Sequence, residues 1–166
     1  MILALQEHPE GVVTTGGNHI VYDLRANRAY FGAARVEGPG LVWKLVRDPG
    51  PGEWLLRCDR VDFPPGGVAY RHVHPGPGIR RLLHGELTIA RDGATHTYRA
   101  GESWFEDADD PVVATASATE ETAFVRVLLL PREWAGTRTI RYLDPVDEKK
   151  PRLQRATVLL EEPLTL

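Results

Sequence analysis

The segment Gly66-Gly67-Val68-Ala69-Tyr70-Arg71-His72-Val73-His74-Pro75-Gly76-Pro77-Gly78 decides how this chain is read. Glycines and Pro-Gly steps bracket a short run with Val68, Tyr70, His72 and His74 at alternate positions, the pattern of a strand held between two turns. On a strand, alternate side chains share a face, so His72 and His74 point the same way with Cα atoms roughly 7 Å apart. Two imidazoles then converge on one point, and neutral imidazole suits Zn, Fe, Cu, Ni or Mn. Tyr70, two residues earlier on that face, is expected to wall the same pocket and to serve as an acid or orienting donor.

Outward from this segment the punctuation continues, at Gly38-Pro39-Gly40, Pro49-Gly50-Pro51-Gly52, Pro64-Pro65, Asp92-Gly93 and Asp110-Pro111. Between these turns lie strand-length runs: 41–47, 54–63, 68–74, 81–91, 95–99, 102–106, 112–116, 123–130 and, near the end, 156–161. Asp92-Gly93 has the chemistry of a tight hairpin turn. Helix signals are confined to one short turn at 131–136 and a polar stretch at 144–155 that Pro145 and Pro151 interrupt. Many short strands at this spacing imply an all-β sandwich or closed barrel, which hides its sheet edges. The expected organisation is an N-terminal arm of edge strands at 1–40, a core at 41–131 and a C-terminal extension with a short helix or strand at 132–166.

At this point the chain resembles the cupin superfamily. The first motif of that family is a Gly, five residues, His-x-His, three or four residues, Glu, six residues and Gly. Gly66, His72, His74 and Gly85 fall on it, while Gly78 stands where the family has its ligand Glu. In the second motif Gly101 fits, and Asp107, Asp109, Val112 and Ala116 replace Pro, Gly, His and Asn. The resemblance covers about residues 55–130 and implies a single antiparallel cupin barrel, or jelly roll. Two of the four metal-ligand positions, Gly78 and Val112, carry no donor.

With the usual register, positions 78, 80, 82 and 84 face the interior, which brings Arg80 and His84 inward beside Leu82. Arg80 next to two histidines makes a positive pocket for a carboxylate or enolate; a bulge after Gly78 would put Arg81 there instead. Glu102, Glu106, Asp107 and Asp109 cluster around the strand of Trp104 and Phe105. Any of them turned inward completes a two-His, one-carboxylate metal site with His72 and His74, and Glu106 is the preferred candidate. The alternative is a solvated acidic hairpin with Trp104 packed outward.

Two readings of the activity follow. In one, His72, His74 and Glu106 hold a divalent Zn, Fe, Mn or Ni ion for oxygenase, isomerase or lyase chemistry on a small organic acid. In the other there is no metal, and the cavity binds, senses or isomerises an anionic or aromatic molecule, with His72 or His74 as general base, Arg80 as anion holder and Tyr70 beside them. A purely structural module leaves paired inward histidines unexplained.

Composition narrows the field. The chain has 166 residues with 20 Lys plus Arg, 23 Asp plus Glu and a net charge of -3, the size of a single domain with no basic block. Nucleic acid is therefore not an expected partner. Cys58 is the sole cysteine and reads as a small strand residue. No segment approaches the roughly 18 apolar residues of a membrane span, and the start lacks a basic, apolar leader. A cytoplasmic homodimer is the expected setting. Ser103 and Ser117 lie in no nucleophile elbow, no phosphate-loop fingerprint occurs, and His8, His19 and His96 are expected at the surface.

Overall fold

The structure is a computed structural model that describes residues 1–6, 12–37, 41–46 and 50–166, with Gln6, 12–19, 32–37, 41, 43 and 45 by backbone alone. The turn expected at Gly38-Pro39-Gly40 and the histidine at position 8 lie outside the described residues, as does the side chain of His19. Four N-terminal strands come first, β1 (Ile2–Gln6), β2 (Val12–Asp23), β3 (Arg28–Glu37) and β4 (Leu41–Leu45). Then follow β5 (Glu53–Phe63), β6 (Val68–Val73), β7 (Gly78–His84), β8 (Glu86–Arg91) and β9 (Ala94–Arg99). The remaining strands are β10 (Ser103–Glu106), β11 (Val112–Ala116), β12 (Thr122–Pro131), β13 (Arg141–Tyr142) and β14 (Arg155–Thr165). Among the described residues, helix is limited to a 3-10 turn at Arg132–Trp134 and one α-turn, α1 (Pro145–Glu148), capped by the Asp144 side chain.

The expected run 81–91 is split because Gly85 adopts φ +76, a left-handed conformation that breaks the strand, and a Cβ there would meet Glu121 O at 2.5 Å. The hairpin at Asp92-Gly93 forms as its residues dictate, both at positive φ, joining β8 to β9.

The strands make three sheets, ordered β3-β2-β1-β4, β10-β7-β12-β5-β14 and β13-β6-β11-β8-β9. The two five-stranded sheets face each other as an open jelly-roll sandwich, the first of the two architectures that the strand spacing implied. The N-terminal strands do not line its edges. They form a layer of their own, to which β4 is joined through antiparallel pairing with β1.

The sheet β10-β7-β12-β5-β14 is thus the middle layer, and its alternation sorts side chains to two different neighbours. Leu56 and Cys58 of β5, Ile79 of β7, and Val125, Val127 and Leu129 of β12 pack against Leu3, Leu5, Ile20 and Tyr22 of the N-terminal sheet. Val61, Phe63, Leu82 and Phe124 pack the other way, against Ala69, Leu87 and Ala114. Residues 122–130 of β12 are all buried, since both faces of the strand are covered. That is why its sequence reads as a continuous apolar run broken by one charge, Arg126. Among the described residues, no helix is long and apolar enough to cross a membrane.

Candidate functional site

A cavity of about 330 Å³ opens between the two jelly-roll sheets. One part of its wall is apolar, formed by Val61, Phe63, Leu87, Trp104, Ala114 and Phe124. The lining also carries His72, His74, Arg80, Glu106 and Arg126, all buried. Arg138, Arg152 and Gln154 of the C-terminal extension complete the lining.

Arg80 reaches the interior, as the unbroken register from Gly78 predicts, and is 1% exposed. Its Nη1 donates to Gly78 O at 2.6 Å, and its Nη2 lies 2.7 Å from Glu106 Oε2. Glu106 Oε1 accepts from Trp104 Nε1 at 2.8 Å, so Trp104 packs inward and not at the surface. Burial holds the Arg80 guanidinium down to about 10, with the facing Glu106 charge opposing. Arg80 is therefore a paired cation, not the free anion holder expected from the sequence.

Glu106 stands directly across the β10–β7 ladder from Gly78, the position where the family has its Glu. A Cβ at Gly78 would lie 2.6 Å from Val127 O and 2.5 Å from a Leu128 methyl, so no side chain fits there. The carboxylate of this site comes instead from the neighbouring strand. Val112, at the lost His position, is paired with His72 across β11 and β6.

The two histidines are held alike. His72 Nδ1 lies 2.6 Å from Tyr70 O and His74 Nδ1 2.6 Å from Thr139 O. A carbonyl can only accept, so Nδ1 carries the proton in both rings and Nε2 keeps its lone pair. Burial lowers the pKa of His72, helped by the Arg126 and Arg80 charges and opposed by the Tyr70 carbonyl and Glu106. His74 is driven well below the ordinary imidazole value by burial first, then by Arg126, Arg80 and His72. Both rings are neutral at pH 7. Their centroids lie 4.9 Å apart, edge to face.

A second ionic group sits behind His74. Arg126 donates through Nε and Nη2 to Asp59 Oδ2 at 3.0 and 2.8 Å, and through Nη2 to Thr139 Oγ1 at 2.9 Å. Its Nη1 faces His74 Nε2 at 3.4 Å. Asp59, fully buried, also accepts from Arg57 Nε at 2.9 Å. Sequence reasoning missed Arg57, Asp59 and Arg126. A signal was present in the lone Arg inside the apolar run of β12, whereas Arg57 and Asp59 lie among other charges of β5 and do not stand out.

Tyr70 does not line the cavity, which corrects its expected place beside His72. Val112 pairs with His72 but Ala114 with Ala69, so β6 spends three residues where β11 spends two. This bulge swaps the phase of β6, bringing Ala69 to the cavity in place of Tyr70. Lys150 Nζ lies 4.1 Å over the Tyr70 ring instead. A second bulge, where Ala123 pairs with His84 but Phe124 with Leu82, turns His84 out to solvent, with Nδ1 3.1 Å from Glu121 O. Glu102, Asp107 and Asp109 are exposed, as is His96. Asp109 pairs with Arg141 at 3.0 Å.

A divalent ion does not fit these side chains as they stand. The Nδ1-to-carbonyl bonds are those that metal-ligating imidazoles use, and His74 Nε2 lies 3.9 Å from Glu106 Oε2. However, Arg80 and Trp104 already engage Glu106, and the Arg126 guanidinium faces the His74 lone pair. A dication would have to compete with the Arg80 guanidinium for Glu106, beside an Arg126 already paired with Asp59 and with Val112 in place of a third imidazole. Among the described residues, no three His, Cys, Asp or Glu side chains converge as a ligand set.

Comparison with known proteins bears on the family. Residues 59–127 match the family model described as the cupin domain. No curated protein sequence matches the chain. Among solved structures, oxalate oxidase in complex with the substrate analogue glycolate is 26% identical, over 44% of this chain and 41% of its own, with a TM-score of 0.41. The chain thus spans about two fifths of that enzyme's length. An RmlC-like cupin from Shewanella frigidimarina is 21% identical over 52% of this chain and 83% of its own, with a TM-score of 0.42. The polyketide cyclase RemF from Streptomyces resistomycificus is 19% identical over 60% and 77%, with a TM-score of 0.44. The family match over residues 59–127 agrees with the two-sheet fold and with the placement of Gly66, His72, His74 and Gly85 expected of the cupin superfamily.

Proposed function

We propose that this protein binds a compact organic molecule between its sheets without a resident metal ion, and that His72 serves there as a proton acceptor. The observation that carries this reading is one cavity whose lining combines aromatic, apolar side chains with two neutral imidazoles and an Arg80–Glu106 pair. Such a combination is how ligand pockets separate binding from orientation, and 330 Å³ lies at the lower end of the usual range of about 300–1,000 Å³. His72 is the better base of the two, because Arg126 already faces the His74 lone pair. Oxygenase or lyase chemistry through a bound metal is the less favoured reading, since the carboxylate it needs is held by Arg80.

Titration of naphthalene and 2-naphthol into chelator-treated protein tests this directly. Saturable, one-to-one binding that an Ala114→Phe variant loses by filling the cavity is the expected result. Binding that appears only after a divalent metal is restored would overturn the proposal.

A further inference from the structure

Arg80 and Glu106 form a buried ion pair whose facing atoms make no aligned hydrogen bond. Arg80 spends Nη1 on Gly78 O at 2.6 Å, with a longer approach of 3.5 Å to Glu106 O, and Glu106 spends Oε1 on Trp104 Nε1. Their inner atoms, Nη2 and Oε2, lie 2.7 Å apart but out of hydrogen-bond alignment. Neither has a directed partner among the described residues, and both side chains are more than nine-tenths buried on the cavity wall. Buried polar atoms in this condition cost free energy until something satisfies them.

A donor and an acceptor side by side specify the group that would satisfy both. A hydroxyl does so with one oxygen, accepting from Nη2 and donating to Oε2. A carboxylate does not, because it has no proton for Oε2 and would set its charge against that of Glu106. The Arg80 charge that would attract an acid is already balanced at 2.7 Å. The rest of the cavity fits a planar body: Trp104 and Phe124 meet edge to face at 5.3 Å, and Phe63 lies 6.2 Å from Phe124.

Building on the metal-free pocket proposed above, we infer that this site selects a neutral phenol- or enol-type hydroxyl on a planar apolar body, and discriminates against the corresponding carboxylate. Glu106 accepts the hydroxyl hydrogen, Arg80 donates to its oxygen, and the aromatic wall covers the ring.

Calorimetric titration of the wild-type protein with 2-naphthol, naphthalene and 2-naphthoate tests the inference. The expected ranking places 2-naphthol at least about tenfold, or about 1.4 kcal/mol, above each of the other two. A Glu106→Gln variant removes the opposing charge and is expected to shift the preference towards 2-naphthoate. If 2-naphthoate binds wild-type protein as tightly as 2-naphthol, the hydroxyl assignment fails while the pocket reading survives. If none of the three binds, both fail. The wild-type ranking decides the matter even where the variant does not fold.

Discussion

The two faces of the middle sheet are built from the same three strands and could hardly differ more. Leu56, Cys58, Ile79, Val125, Val127 and Leu129 face the N-terminal sheet and pack in one apolar cluster with Leu3, Leu5, Ile20 and Tyr22. One residue away along each strand, Arg57, Arg80 and Arg126 line the cavity and Asp59 is buried behind them, paired with Arg57 and Arg126. The first face lowers the free energy of folding through close packing, with each large side chain contributing about 1.5–3 kcal/mol. The second desolvates four charges, which packing does not require and which apolar residues of similar volume would match or better. Charge that is costly to bury, gathered on one wall of one cavity, marks the face the molecule uses. Cys58 makes the same point from the other side: burial pushes its thiol up to about 12, so it is an inert packing atom.

The sharpest way to break this contrast is to remove one member of the charged face. Asp59→Ala leaves both Arg57 and Arg126 without their shared carboxylate, and chemical denaturation should show a loss of about 3–5 kcal/mol. On the apolar face, Leu129→Ala should cost about 3 kcal/mol through the cavity it leaves, with ligand binding unchanged once the protein is folded. Equal losses of binding from both substitutions would erase the distinction between the faces.

Acid sharpens the comparison further. His72 and His74 have folded pKa values below the unfolded value of about 6.5, so only the unfolded chain gains their protons as pH falls through that window. Stability should therefore decline from neutral pH downwards and level off once the lowered folded values are passed. A His72→Asn variant should show a shallower decline in urea midpoints, and an unchanged slope would contradict the neutral, buried assignment. The smallest effect is expected at Tyr70. Tyr70→Phe should leave 2-naphthol affinity within about twofold, because the bulge in β6 keeps the ring off the cavity.

How much of this was legible beforehand divides along the same physical line. Period-two patterning and Gly-Pro punctuation placed the strands from 53 to 131 because both are local properties of the chain. The inward turn of His72 and His74 also followed from alternation, as did that of Arg80 given an unbroken register from Gly78. Tyr70 and His84 did not, since each lies beyond a bulge, and a bulge is set by the opposing strand, not by the residues that slip. Glu106 was found from its proximity to Trp104, but its role as partner of Arg80 depends on ladder pairing between β10 and β7. The Asp59–Arg126 pair spans β5 and β12, residues 67 apart in sequence, and no local pattern joins them. The separate N-terminal sheet depends on a parallel β1–β2 pairing that sequence periodicity does not encode.

The central claim is that this site works through side chains alone, and elemental analysis of untagged protein tests it most directly, alongside a His72→Ala, His74→Ala double variant. The account predicts divalent metal well below one ion per chain in both proteins, with 2-naphthol binding to the wild type unaffected by chelator. Near-stoichiometric metal in the wild type that disappears from the double variant would contradict it, and would mean that Glu106 leaves Arg80 to complete a metal centre.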